Sequence, residues 1–321
     1  MREHVRTGSV LLTLALAAVA VPASAASGAG DRWAPPIDVQ VLSVTDFHGG
    51  DKLSSQDTNI YFADGTVHQA GDAAALSSEL DRLSQRYSRG NSLRVLNGDN
   101  LTGYNYPDKS LANEPAMEVL NAMDFDLSSI GNHDLDWQID YMLEHTSQQA
   151  CSEGPRPDDC FPDSTGSLFQ GADFQYLSAN VHWRESGDLV FEPYAIRDVV
   201  GRRGAQSKVG FIGITLQGSD RQAMSYNDSL ESSDPVTAVN RYAAELQAQG
   251  VEAIVVLDHE GLRQGSRAVD ACDNPTDLAW KVANQADPSV DAVVAGHTHG
   301  LASCTAVDPA GNPRPVVIGG S

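Results

Sequence analysis

The sequence predicts an α/β fold in which short strands alternate with helices. Eight short apolar runs have the length and composition of strands. These runs lie at residues 39–44, 93–96, 127–130, 176–180, 209–214, 251–257, 290–295 and 315–318. Between several of them, apolar residues recur at helical spacing instead. This alternation indicates crossover connections and a largely buried sheet with helices on its faces.

Three of the predicted helices carry recognisable start or stop signals. The first follows a capping residue at Asp72, and the second follows Asn113. Short polar side chains at these positions accept hydrogen bonds from the first free backbone N–H groups of a helix. The third begins at Asp234 and Pro235 and ends before Gly250. Proline in the first turn and glycine just past the last are the favoured arrangement.

The N-terminal residues have the pattern of a secretory signal peptide. Arg2 and Arg6 precede an apolar run over residues 10–21, and Ala23 and Ala25 mark a cleavage site after residue 25. A membrane anchor would need about 18 uninterrupted apolar residues, which is longer than this run. We therefore expect a signal peptide at 1–25, a flexible mature N-terminus at 26–36 and a folded domain at 37–321. The expected location is secreted, either extracellular or periplasmic.

The four cysteines agree with export. All of them follow residue 25 and lie in polar segments rich in glycine, proline or aspartate. Two disulfides are expected, most simply Cys151 with Cys160 and Cys272 with Cys304. Four buried free thiols are the alternative.

The chain is strongly acidic, with a formal net charge of −22. Such a charge argues against nucleic acid and anionic membranes as partners. It is typical of a soluble secreted surface. Any anionic ligand would require positive charge concentrated in one place.

Five of the predicted strands run directly into polar residues of the types that bind metals. These residues are Asp46, His48, Asp99, Asn132, His133, Asp136, His259, His297 and His299. The carboxyl ends of strands form the ligand crevice of an open α/β sheet, so the five segments should converge there. Mixed nitrogen and oxygen ligands suit zinc, manganese, iron or cobalt better than calcium.

The number of candidate ligands favours two ions over one. Seven of these residues are candidate ligands, which is more than one tetrahedral ion takes. They fill two sites if one carboxylate bridges ions about 3.5–4 Å apart. Two divalent ions would contribute +4 against −2 from Asp46 and Asp99, which places a positive pocket in an acidic protein.

The strand-end motifs closely resemble those of the calcineurin-like metallophosphoesterases. They resemble in particular the secreted 5′-nucleotidase branch, which also includes cyclic-nucleotide phosphodiesterases and nucleotide-sugar hydrolases. The matching segments are Asp-Phe-His-Gly at 46–49, Gly-Asp-Asn-Leu-Thr-Gly at 98–103, Gly-Asn-His-Asp-Leu-Asp at 131–136, Asp-His-Glu-Gly at 258–261 and Gly-His-Thr-His at 296–299. The resemblance covers residues 37–321. It implies a layered α/β/β/α sandwich with its site at the C-terminal ends of the strands.

The resemblance also implies a role for each candidate. One metal would be held by Asp46, His48, Asp99 and His299. The other would be held by Asp99, Asn132, His259 and His297, with Asp99 bridging. His133 matches the family's catalytic histidine, which faces the phosphate and does not bind metal. Asp136 would orient the His133 ring and favour its charged form.

The activity implied is two-metal hydrolysis of a small phosphate ester, with extracellular nucleotides as substrates of a 5′-nucleotidase type. The alternatives are a 2′,3′-cyclic-nucleotide phosphodiesterase, a nucleotide-sugar hydrolase, and a metal-binding domain without catalysis. Members of this branch usually continue, after a strand like that at 315–318, into a second domain that recognises the nucleotide. The sequence stops at Ser321. We therefore expect the catalytic domain alone, as a fragment, as the product of a truncated reading frame or as a stand-alone catalytic domain.

Overall fold

The computed structural model describes residues 36–49, 59–69, 71–87, 90–102, 110–146, 151, 154–155, 159–163, 165–218 and 228–320. The expected signal peptide and nearly all of segment 26–36 lie outside the described residues. None of the described helices is long and apolar enough to cross a bilayer.

The described residues form fourteen strands and five α-helices. The strands are β1 Gln40–Val44, β2 Asn59–Tyr61, β3 Val67–Gln69, β4 Ser92–Asn97, β5 Leu127–Ser129, β6 Gln175–Leu177, β7 Val181–Trp183, β8 Tyr194–Val200, β9 Gln206–Ile214, β10 Leu230–Ser232, β11 Ala253–Asp258, β12 Ala292–Ala295, β13 Leu301–Val307 and β14 Pro313–Gly319. The helices are α1 Ala73–Ser84, α2 Glu114–Ala122, α3 Ile139–Thr146, α4 Pro235–Ala248 and α5 Leu278–Gln285.

Two sheets contain most of the strands. The first is parallel, with strand order β1-β4-β5-β6. The second has the order β13-β14-β12-β11-β9-β8. Its four central strands are parallel, and its two edge strands, β8 and β13, run antiparallel. Two small antiparallel pairs, β2 with β3 and β7 with β10, lie outside these sheets.

Alternate side chains of both sheets enter different apolar cores. Leu96 on β4 packs with the helical layer that includes α1 and α2, whereas its neighbour Val95 faces the second sheet. On β11, Val255 packs between the sheets, whereas Val256 packs against α4 and α5. Burial on both faces explains why these strands read as continuous apolar runs. The layers are helices, sheet, sheet and helices, which confirms the predicted α/β/β/α architecture.

All eight predicted strands are present, and two of the three helix signals act as expected. The Asp72 and Asp234 side chains each accept a hydrogen bond from the backbone N–H three residues later, at 2.9 Å. Asn113 differs, because it adopts a left-handed backbone (φ 57°) and makes no capping bond. Edge strands β8 and β13 and helices α3 and α5 were not predicted from the pattern. The edge strands are only partly buried and so lack continuous apolar runs.

Both disulfides form with the expected pairing. Cys151 joins Cys160, and this bridge packs in the core that contains α1 and α2. Cys272 joins Cys304 and so ties the segment after β11 to β13.

A buried arginine on β14 closes the C-terminal end of α5. Arg314 is 1% exposed. Its guanidinium donates to the backbone carbonyls of Ala283 (2.6 Å), Ala286 (3.2 Å), Asp287 (2.7 Å) and Val290 (2.7 Å). Carbonyls at the end of a helix have no partner within the helix, so Arg314 supplies the hydrogen bonds that they need.

We expect Arg314→Met to lower the free energy of unfolding by about 3 kcal/mol or more, because the variant leaves several buried carbonyls without a donor. Arg241→Met is the matched control, since its side chain is 67% exposed beside Glu245. The control should change stability by less than about 1 kcal/mol. Urea unfolding followed by circular dichroism measures both, and equal losses would contradict the role assigned to Arg314.

Candidate metal centre

The nine candidate residues lie where the two sheets meet. Asp46 and His48 follow β1, Asp99 follows β4, and Asn132 begins the segment after β5. The second sheet provides His259 after β11, together with His297 and His299 after β12. The strand pattern alone predicted one sheet edge, whereas the family resemblance implied two sheets, and the structure combines the C-terminal ends of two sheets.

The first cluster consists of Asp46, His48 and His299. One potential ligand atom from each residue lies within 4.8 Å of the other two. His299 Nε2 is 3.3 Å from Asp46 Oδ1, and His48 Nε2 is 3.2 Å from His299 Nε2. Residues 251 positions apart in the chain thus direct nitrogen and oxygen atoms at one point.

The second cluster consists of Asp99, His259 and His297, whose potential ligand atoms also lie within 4.8 Å of one another. His259 Nε2 is 3.1 Å from Asp99 Oδ2, and His48 Nε2 of the first cluster is 3.8 Å from the same oxygen. Asp99 therefore lies between the clusters. Asn132 is buried. It lies close to the clusters, since the N–H of the next residue, His133, donates to Asp99 Oδ1 at 2.8 Å.

Charge at the centre is set by burial and by Asp99. Burial opposes the charged form of His259, yet the neighbouring Asp99 carboxylate outweighs it and raises the pKa of His259 to about 10. The same contact holds the pKa of the Asp99 carboxyl well below its usual range, despite burial. Burial lowers the pKa of His48 and of His297. An ionised carboxylate thus faces imidazoles, two of which favour the neutral form that binds metals.

The tautomer of His259 is fixed by its own hydrogen bond. Its Nδ1 lies 2.5 Å from the carbonyl oxygen of Asn97, the last residue of β4. A carbonyl only accepts, so Nδ1 carries the proton and Nε2 faces Asp99. A second partner that orients a histidine in this way is typical of metal-binding imidazoles.

Five candidate ligands adopt positive backbone φ angles, a region that residues with a side chain rarely occupy. They are Asp46 (52°), His48 (47°), Asp99 (53°), His297 (74°) and His299 (51°). Such conformations persist only where surrounding structure holds them, and they concentrate at functional sites. Here they turn each side chain away from the strand direction and towards the shared centre.

Two glycines allow the loops around the centre to approach, Gly131 within the first sheet and Gly296 between the two sheets. A Cβ on Gly131 would lie 2.1 Å from the backbone nitrogen of Asp99. A Cβ on Gly296 would lie 2.4 Å from Thr45 Oγ1 and 2.6 Å from the carbonyl oxygen of Asn97. These distances leave no room for a side chain.

The donor set fits divalent metal ions. Among the described residues, the buried atoms Asn132 Oδ1 and His297 Nδ1 have no hydrogen-bond partner. Buried polar atoms without a partner are rare, and a bound ion would satisfy both of them. Imidazole nitrogens mixed with carboxylate and amide oxygens match the preferences of transition-metal ions.

His133 and Asp136 form a separate pair beside the clusters. His133 Nδ1 donates to Asp136 Oδ2 at 2.8 Å, and this bond raises the pKa of His133. The His133 ring centroid lies 5.4 Å from that of His48. Because Asp136 occupies Nδ1, the Nε2 atom of His133 is the one left to meet a ligand.

The comparisons with known proteins agree with this geometry. The calcineurin-like phosphoesterase family matches residues 39–301. The chain belongs to this family. It is 30% identical over 269 residues to endonuclease YhcR of Bacillus subtilis, which covers 82% of this chain and 20% of the relative. It is 26% identical over 277 residues to a Haemophilus influenzae protein named 2′,3′-cyclic-nucleotide 2′-phosphodiesterase/3′-nucleotidase. That alignment covers 83% of this chain and 36% of the relative.

Among solved structures, a 5′-nucleotidase precursor from Thermus thermophilus has the same fold. The TM-score is 0.59 at 19% sequence identity, and the superposition covers 87% of this chain and 48% of that one. The chain thus spans about a fifth to a third of the curated relatives named above and about half of this structure. The chain thus belongs to a family of phosphoesterases that use divalent metals.

Asp134 holds the loops of the candidate centre together, a role that its sequence position did not reveal. The sequence indicates only a loop or capping role. The buried carboxylate accepts backbone N–H bonds from Asp99 (3.0 Å), Asn100 (2.9 Å), Leu101 (3.0 Å) and Gly131 (2.9 Å). Asp134 thereby joins the loop after β4 to the loop after β5. The order of residues along the chain carries no sign of these cross-loop bonds.

We expect Asp134→Asn to lower the free energy of unfolding by about 2–4 kcal/mol, because the amide NH2 group would face backbone N–H donors in place of an acceptor oxygen. Asp140→Asn, at an exposed position of α3, is the matched control and should change stability by less than about 0.5 kcal/mol. Thermal unfolding of the two variants is the measurement. A variant at residue 134 as stable as the control would show that these bonds do not hold the loops.

Proposed function

We propose that this chain is a two-metal hydrolase of phosphate monoesters whose substrates are nucleotides outside the cell. One observation carries the proposal. Asp99 lies between two clusters of histidine and carboxylate, and the paired His133 and Asp136 lie beside them.

In this proposal, each ion has its own ligand set. The first set is Asp46, His48, Asp99 and His299. The second set is Asp99, Asn132, His259 and His297. Ions bound there would supply Lewis acidity to a water and positive charge for the phosphate oxygens.

The protein's own side chains would shape the centre and donate a proton to the substrate. Asn97 and Asp99 hold His259 from both ring nitrogens, which fixes one wall of the centre. Asp136 accepts from His133 Nδ1 and stabilises the charged ring, so His133 Nε2 carries a proton. That proton neutralises charge on a phosphate oxygen and can pass to the departing alkoxide.

The proposed substrate class and the proposed location outside the cell are supported by other observations. The relatives described above bear the names of nucleotidases, a cyclic-nucleotide phosphodiesterase and an endonuclease, and each of these names denotes action on a phosphate ester of nucleotides. Export is supported by the signal-peptide pattern at 1–25 and by the two disulfides, which form in oxidising compartments.

The decisive variant is His133→Ala. We expect it to keep both metals and to lower kcat by about 100-fold or more, because it removes a proton donor and leaves every proposed ligand in place. Metal analysis combined with phosphate release from a nucleoside 5′-monophosphate measures both properties. His182→Ala, on β7, is the matched histidine control and should retain activity. Loss of both metals from the residue 133 variant would refute the proposed role.

The substrate is tested by ranking kcat/KM among esters. We expect nucleoside 5′-monophosphates to exceed both 2′,3′-cyclic nucleotides and nucleotide sugars. A cyclic nucleotide ranked first would favour the phosphodiesterase, the second candidate, whose support is the Haemophilus influenzae relative. A nucleotide sugar ranked first would favour a nucleotide-sugar hydrolase. Bound metals without turnover of an aryl phosphate in the presence of manganese would identify a silent binding domain.

A further inference from the structure

Thr102 lies in the segment after β4 and has a backbone conformation that is unusual for threonine. Its φ angle is 61°. β-Branched residues rarely adopt left-handed backbone, because the branched side chain crowds the carbonyl oxygen. A threonine persists in this region only where its neighbours hold it. Two hydrogen bonds do so here.

The two bonds connect Thr102 to the segment after β5 and to the start of α2. Its hydroxyl donates to the backbone carbonyl of His133 at 2.7 Å. Its N–H donates to Asn113 Oδ1 at 3.2 Å. Asn113 is itself buried and left-handed. The side chain expected to cap α2 thus holds Thr102 instead.

Asn113 is anchored in turn through the next residue. The Glu114 carboxylate accepts the backbone N–H groups of Cys160 and Phe161, directly at the Cys151–Cys160 disulfide. The start of α2 is therefore joined to a cross-linked segment, which gives Thr102 a fixed support through Asn113.

His133 depends on its backbone for position. Its ring belongs to neither metal cluster and is 35% exposed, so a bound ion would not fix it directly. Its N–H donates to Asp99 Oδ1 at 2.8 Å. Its carbonyl accepts the Thr102 hydroxyl at 2.7 Å and, at the longer distance of 3.2 Å, the N–H of Asp136. The Thr102 hydroxyl therefore provides the shorter of the two bonds to this carbonyl and the one that comes from another loop.

We propose that Thr102 is a positioning residue for His133, whose hydroxyl fixes the peptide from which the catalytic ring extends. The inference rests on the proposed function, because it assigns Thr102 to the same reaction. The hydrogen bonds of Thr102 go to His133 and Asn113, neither of which is a candidate metal ligand, so Thr102 would act through His133.

A double-mutant cycle tests this assignment. We expect Thr102→Val, which keeps the shape and removes the hydroxyl, to lower kcat about tenfold while KM and metal content stay within about twofold. Thr102→Ser should restore most of kcat. In the His133→Ala background, Thr102→Val should change kcat less than about twofold, because its effect passes through the missing ring. Thr305→Val, at an exposed site of β13, is the matched control.

Thr102→Gly protects the test against misfolding, since glycine accepts left-handed backbone without strain and also lacks the hydroxyl. It should match Thr102→Val in kcat. An unchanged kcat in both hydroxyl-free variants, or an equal loss with and without His133, overturns the inference and leaves the proposed function intact. A wild type without turnover overturns the proposed function, and this inference with it.

Discussion

The contact between Asp99 and His259 is the constraint on which the centre depends. It joins the end of β4 in the first sheet to the end of β11 in the second, at 3.1 Å and with both side chains buried. A buried carboxylate destabilises the fold unless a partner offsets the lost hydration. The two sheets must therefore pack so that the ends of β4 and β11 keep these side chains in contact. The Asn97 carbonyl on the other ring nitrogen of His259 strengthens this requirement.

Packing between the sheets and glycines in the loops keep Asp99 and His259 in contact. Core residues between the sheets, such as Phe211 and Leu257, set the spacing of the strands that end at the clusters. Gly131 and Gly296 then let the loops close to distances that a side chain would prevent. The unusual backbone of the candidate ligands follows from the same crowding, since residues from separate loops must face a common point.

Much of this was predictable from the sequence, for physical reasons. Strands buried on both faces leave continuous apolar runs, and polar residues directly after such runs identify the crevice. The strand pattern alone did not predict the division into two sheets, because strand order depends on contacts between distant segments; only the family resemblance implied it. The roles of Asp134 and Thr102 were not predicted from the sequence for a related reason. Their partners are backbone groups, and any residue supplies those groups, so neither role leaves a pattern of residue types.

The order of the ligands along the chain has a consequence for biogenesis. His259, His297 and His299 belong to the part of the polypeptide that a ribosome completes last among the ligands. A nascent chain that ends before β11 contains only the ligands of the first sheet and cannot enclose an ion from both sides. With the proposed ligand sets, metal affinity would arise only with the assembled fold, so loading would follow synthesis of the second sheet, and the ions available to the protein would be those of the compartment where it finishes folding.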